Sequence, residues 1–254
     1  MVRTDYNEIA NFYDEDKVRE KSVDENLVKY LKKDKRPGNK NIKILDIACG
    51  TGNQLIAHKR AYPEIEMWGM DKFEKMLELA KKKAQDITWL QGDMDQDDLN
   101  IGTFDFISSQ FAYHHSRNKQ QFLLNVYNNL KINGWFTIIN LDVFEMEDWF
   151  IYQFFPAAKE IDWQDFLETG LLLEKAQSVG FELVSQKVTK YRENNFIEDI
   201  YHLCAKRHYC SELISISDHE FNNGLSMINA KLSQDNNLVI ESSVAIFEAI
   251  FKKS

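Results

Sequence analysis

Three acids, two glycines and two histidines stand at spacings that could hold a nucleoside-bearing ligand and work on it. The run Ile42–Gln54 reads IKILDIACGTGNQ. An apolar strand ends in Asp46, and Ala48, Gly50 and Gly52 then lead into a helix. Glycine has no Cβ, so backbone there can approach a ligand closely. A helix start adds unpaired N–H groups and the positive end of its dipole. Such a turn suits a nucleoside-bearing ligand with a negative end. The third glycine of G-x-G-x-x-G is missing, because position 55 is Leu55. That departs from the pyrophosphate-binding pattern of dinucleotide sites.

Acids and imidazoles follow at the ends of later strands. Asp71 closes the strand Ile65–Met70, twenty-one residues beyond Gly50, near the spacing at which an acid meets a ribose. It also begins DKFEKMLELAKKKAQ, where Asp71 and Glu74 read as a helix cap pair. The two uses are compatible. The strand Ile87–Gln91 runs into Gly92, Asp93 and Met94. There an acid could accept from an adenine amino group and Met could pack on the ring; a plain polar turn is the other reading. The strand Phe104–Ser109 is followed by Gln110, Phe111, Ala112, Tyr113, His114 and His115. Histidine titrates in the range useful for accepting a proton. Adjacent residues do not both reach one pocket easily, so His115 is preferred to His114, with Tyr113 as an orienting donor. The competing view has His115 packing against the helix that starts near Ser116.

The segments ILDIACGTGN, WGMD, QGDMD, FDFISSQFAYHH and LKINGWFTIIN occur in that order over about positions 42–142. Together they resemble the class I S-adenosylmethionine-dependent methyltransferases. The resemblance implies a doubly wound, mostly parallel seven-stranded α/β sheet of Rossmann-like type, with S-adenosyl-L-methionine as cofactor. It implies Ala48, Gly50 and Gly52 around the methionine part, Asp71 at the ribose, Asp93 with Met94 at the adenine, and Lys72 as a further cofactor-binding residue. Gln110 would lie beside the sulfonium. YNEIANFYDE resembles the family's N-terminal lid, with Tyr6 and Tyr13 closing over the cofactor. RHYCSELISISDHEFNNGL is similar to the C-terminal helical region of bacterial small-molecule methyltransferases. Three departures stand out: Ala48 replaces the usual first glycine, Ile132-Asn133 replaces a Pro-Gly, and Phe73 replaces a common Ser.

The chain has 254 residues and a net charge of −9, which argues against a nucleic-acid substrate. Three scattered cysteines point to free thiols and a reducing compartment. With a polar N-terminus and no long apolar run, the expectation is a cytoplasmic protein away from membranes. Cys49 reads as a small buried residue rather than a nucleophile. His202, Cys204, His208 and Cys210 match no standard zinc spacing, so no metal is expected.

Alternating strands and helices imply a parallel sheet covered on both faces. The expected organisation is a helical lid (1–40), a cofactor-binding core (41–142), an aromatic cap insert (143–163) and the remainder of the core (164–254), with a helical insert at about 191–235. KRPGNKN links lid to core. Helices are expected at Ser116–Leu130 and Trp163–Val179, and later strands at Trp135–Leu141, Phe181–Lys190 and Val239–Phe251. Phe144, Trp149, Phe150, Tyr152, Phe154 and Phe155 either wall an acceptor cavity that suits a flat or cationic molecule, or pack the cap. The expected function is in-line methyl transfer to an O or N atom of a small-molecule acceptor. A carboxylate acceptor would need no base. The alternative is a methyltransferase-like cofactor-binding protein without turnover. Oligomeric state is left open.

Overall fold

The computed structural model describes residues 5–15, 19–34, 36–39 and 41–254. Residues 1–4, 16–18, 35 and 40 of the expected lid and linker lie outside the described residues. Two helices come first, α1 (Tyr6–Tyr13) and α2 (Glu25–Lys33). The strands are β1 (Lys43–Ile47), β2 (Glu66–Asp71), β3 (Thr88–Gln91), β4 (Phe104–Gln110), β5 (Leu130–Leu141), β6 (Phe181–Phe196) and β7 (Val239–Lys253). They form one seven-stranded sheet in the order β3-β2-β1-β4-β5-β7-β6. β1 pairs in parallel with β2 and β4, β2 with β3, and β4 with β5. Asp46 sits opposite Gly69 on one side and Ser108 on the other. That register brings the strand ends with Asp46, Asp71 and Gln110 to one edge, the edge where open α/β sheets bind ligands.

Burial explains these elements. Ile44, Leu45, Asp46 and Ile47 are all buried, so β1 reads as the near-continuous apolar run of a strand covered on both faces. Helix α2 sends Leu27, Tyr30 and Leu31 into a core with Ile42, Ile44, Ile56, Phe106 and Trp135. Helix α4 (Glu74–Lys83) buries Met76, Leu77 and Ala80 and leaves three lysines in its last turn, where they complement the helix dipole.

The chain divides into two compact units. One comprises 5–140, 169–187 and 247–254 and holds the glycine turn; the other comprises 141–168 and 188–246. The second unit has its own core, in which Trp149, Phe150, Tyr152, Phe154 and Phe155 meet Ile200, Leu213 and Ile228. Those aromatics pack the cap itself. Phe144 stacks on Trp163 with ring centroids 6.2 Å apart.

Several boundaries differ from expectation. The helix expected at Trp163–Val179 is two helices, α7 (Pro156–Asp165) and α8 (Thr169–Val179), following the short α6 (Phe150–Phe154). Phe166 breaks them: it is extended (φ −88°, ψ 153°) and buried, so core packing overrides helix continuity. Helix α5 (Lys119–Asn129) begins after Ser116 and Arg117, because both are drawn to Asp95 and Asn118 caps the helix instead. Asp71 caps no helix; the N-cap position of α4 is Phe73.

One buried histidine gives the fold a pH dependence. His58 lies in α3 (Asn53–Ala61) and is fully buried. Its Nε2 accepts from the Asp24 N–H at 3.1 Å and lies 2.8 Å from Gln54 Nε2, tying the cap of α2 to α3. Burial lowers its pKa to about 4. The unfolded chain binds a proton near pH 6.5 that the folded chain refuses until about pH 4. Stability from this residue is therefore complete above the unfolded value and is lost as pH falls across that window, by roughly 3 kcal/mol. Asp46 acts in the opposite sense, since burial raises its carboxyl to about 7. Urea unfolding of the wild type and His58→Gln from pH 7 to 4 should show a shallower acid loss in the variant. Equal slopes would remove His58 from this role.

Candidate active site

The glycine turn puts every second residue in left-handed backbone. Ala48, Gly50 and Gly52 have φ of 59°, 56° and 77°. For Ala48 that conformation costs roughly 1–2 kcal/mol, which glycine would avoid. Gly50 is shaped by what covers it: a Cβ there would lie 3.7 Å from the Tyr13 ring. Its N–H donates to Asp71 Oδ2 at 2.8 Å, and Asp71 Oδ1 accepts from the Phe73 N–H at 2.9 Å. Asp71 thus joins the end of β2 to the turn after β1. Burial raises its carboxyl above the ordinary range against these backbone N–H groups. Cys49 is no activated nucleophile, since burial and then Asp71 and Asp46 push its thiol up.

Helix α1 covers this turn. Asp5 caps it by accepting from the Asn7 N–H. At its other end, the Asp14 carboxylate accepts from Thr51 Oγ1 (2.6 Å), Asn53 Nδ2 (2.9 Å) and Lys83 Nζ (2.8 Å). Tyr6 packs on Phe73 (5.4 Å) and Tyr13 (6.2 Å).

Beside the turn is a narrow cleft that opens to solvent. Tyr13, Ala48, Gly50 and Gln110 line it together with Arg19, Lys21, Asp46 and Phe111. Arg19, Lys21 and Asp46 were not singled out from sequence as cofactor or catalytic residues. The available signal was a short stretch after the lid motif that carries three cations, Lys17, Arg19 and Lys21. The Arg19 guanidinium lies 4.3 Å from the Tyr13 ring centroid and donates to Tyr13 Oη at 3.2 Å. Gln110 Nε2 donates to Asp24 Oδ2 at 3.3 Å. Asp46 is sealed beneath, accepting from Ser108 Oγ at 2.8 Å.

The remaining expected residues lie near this cleft without lining it. Lys72 Nζ and Asp93 Oδ2 pair at 2.7 Å, joining the ends of β2 and β3. Although partial burial works against it, Lys72 and the Asp95 N–H hold the Asp93 carboxyl below its ordinary range. The Met94 carbonyl accepts from Asn125 Nδ2. After β4, a single 3-10 turn carries Tyr113, His114 and His115. Tyr113 turns inward against Phe122, and its buried hydroxyl has no hydrogen-bond partner among the described residues. His114 is buried with Nδ1 3.2 Å from Asn140 Oδ1. His115 Nε2 lies 2.9 Å from Tyr6 Oη. The lid tyrosine and the preferred imidazole therefore meet, while Tyr113 and His114 face the interior. In the other unit, His202 is exposed and Cys204 is buried, so those two point apart.

A methyltransferase-domain family model matches residues 44–134. Demethylmenaquinone methyltransferase of Thermotoga maritima is 32% identical over 99 residues, 39% of this chain and 43% of that protein. The chain spans less than half the length of the curated relatives it matches. Among solved structures, a Bacillus halodurans protein superposes with a TM-score of 0.60 at 18% identity, over 91% of this chain and 99% of that one. Haemonchus contortus phosphoethanolamine N-methyltransferase 2, solved with phosphomonomethylethanolamine and S-adenosylhomocysteine, superposes at 0.53 with 20% identity, over 91% of this chain and 53% of that one. The glycine turn and the acids at successive strand ends fall within residues 44–134, the stretch that matches a methyltransferase domain.

Proposed function

We propose that this chain transfers a methyl group from S-adenosyl-L-methionine to an oxygen or nitrogen of a small-molecule acceptor by in-line displacement. The observation that carries the reading is the meeting of Tyr6 Oη and His115 Nε2 at 2.9 Å, on the edge that holds the glycine turn.

The residues present fit the family's cofactor. Gly50 leaves backbone bare beneath Tyr13, Arg19 offers a cation to a carboxylate, and Asp71 stands at the end of β2 for a ribose. When bound, S-adenosyl-L-methionine supplies a methyl group already activated by a positive sulfur. The chain's own task is then to orient an acceptor, exclude water and take a proton. Orientation alone can lower a barrier by roughly 7–11 kcal/mol. Helix α1 lies over the turn and limits water there. An acceptor hydroxyl or ammonium can pass its proton to His115 Nε2, directly or through Tyr6 Oη. The net charge of −9 disfavours a nucleic-acid substrate.

Labelled methyl transfer to a panel of small hydroxyl, amine and carboxylate compounds tests this reading. Product formation supports it. Tight S-adenosylhomocysteine binding with no transfer across the panel would favour a binding protein without turnover. Asp71→Ala should weaken S-adenosylhomocysteine binding by about 1.5–3 kcal/mol, as expected for lost charged hydrogen bonds. Unchanged affinity by calorimetry would remove Asp71 from the ribose role.

A further inference from the structure

The cleft beside the glycine turn holds two cations, and a cofactor with a single carboxylate accounts for one. Arg19 is tied to the turn side. Its guanidinium bonds Tyr13, and its carbonyl accepts from Asn53 Nδ2 at the start of α3. Lys21 lies on the other side, with Nζ 5.2 Å from the centroid of Phe111, the residue after β4. Among the described residues it makes no hydrogen bond and no ion pair. Two buried acids, Asp46 and Asp24, lie close enough to favour its charge, but burial and Arg19 work against it more strongly. Asp46 is buried at the floor of the cleft and accepts from Ser108 Oγ, and burial raises its carboxyl to about 7. Asp24 is buried and engaged by the Asn26 N–H and by Gln110. Partial burial, and then the charge of Arg19, work against the Lys21 ammonium, so an anion entering the cleft is drawn to it.

Phe111 adds shape to this charge. It is a bulky residue held at φ 52°, and its N–H donates to the Ile139 carbonyl at 2.7 Å. A side chain stays in that conformation only where its surroundings hold it, and such positions cluster at ligand sites. The ring gives a flat apolar wall beside the cation, where a planar anion can lie.

We propose that Lys21 binds a carboxylate of the methyl acceptor, and that the acceptor is a planar, anionic small molecule stacked on Phe111. This rests on the methyl-transfer reading above. The carboxylate is the handle by which the acceptor is held, distinct from the O or N atom that is methylated.

The test uses the full chain saturated with S-adenosylhomocysteine, with benzoate and benzamide as probes in calorimetry. Wild type should bind benzoate at least tenfold more tightly than benzamide. Lys21→Met should lose that preference and Lys21→Arg should keep it, with thermal unfolding confirming that each variant is folded. S-adenosylhomocysteine is titrated first into each of the three proteins, so that benzoate and benzamide are compared at saturation in every case. Equal benzoate binding by wild type and Lys21→Met would overturn the proposal, as would no preference for benzoate in wild type. A tenfold fall in S-adenosylhomocysteine affinity in Lys21→Met would overturn it too, by assigning Lys21 to the cofactor's own carboxylate. Failure of wild type to bind S-adenosylhomocysteine would instead sink the methyl-transfer reading, and this proposal with it.

Discussion

Replacing His115 by Phe is expected to slow single-turnover methyl transfer by roughly 10²–10⁴-fold, the range for losing a positioned general base. Cofactor affinity should hardly change, because His115 does not line the cleft beside Gly50. The structure also sharpens the test. His115 Nε2 faces Tyr6 Oη at 2.9 Å, and the His115 ring lies 3.9 Å from that of His114. If Tyr6 and His115 act as a unit, Tyr6→Phe should lose much of the same rate, and the double variant little more than His115→Phe alone. If His115 only packs between Tyr6 and His114, its loss should lower the melting temperature and spare turnover in the folded fraction. A full rate in folded His115→Phe, measured with the acceptor found by labelled transfer, would end the proposal. Orientation would then carry the chemistry.

Gly52→Ala should destabilise the fold by about 2–5 kcal/mol. Two effects add: a left-handed non-glycine residue costs roughly 1–2 kcal/mol, and overpacking a tight site costs about 1–3 kcal/mol. The second is visible in the structure, where a Cβ on Gly52 would sit 2.3 Å from the Trp89 ring. That ring cannot swing freely, because Trp89 Nε1 donates to the Ala84 carbonyl at 2.9 Å. Urea unfolding gives the loss directly. Gly52→Ala/Trp89→Leu should regain the overpacking part and keep the backbone part. A midpoint equal to that of wild type in Gly52→Ala would show that the turn relaxes at no cost.

Local pattern was enough for much of this protein. The apolar run before Asp46, the glycines after it and the alternating strands and helices specify a parallel sheet with a ligand-binding turn at its carboxyl edge, because strand periodicity and glycine geometry act within a few residues. The acids Asp71 and Asp93 could be assigned to strand ends for the same reason. Their partners could not: Asp71 bonds Gly50 and Phe73 in place of a helix, and Asp93 pairs with Lys72. Such choices depend on which groups the sheet register brings close, and register is a long-range property. The break at Phe166 belongs to the same class, since a core position outweighed local helix preference.

The candidate site divides along the same line. Motifs and their spacing by themselves pointed to a methyltransferase domain, a mostly parallel sheet and the residues of the glycine turn. Only the tertiary structure decided that the lid tyrosine Tyr6 meets His115, that Tyr113 and His114 turn inward, and that Arg19 and Lys21 enter the cleft. The decisive contacts join residues far apart in the chain: His114 and Asn140 are 26 positions apart, and Tyr6 and His115 are 109. Nothing local constrains such distances. They are set when α1 docks on α4 and when β4 and β5 align, and burial and hydrogen bonding then select one partner for each polar group.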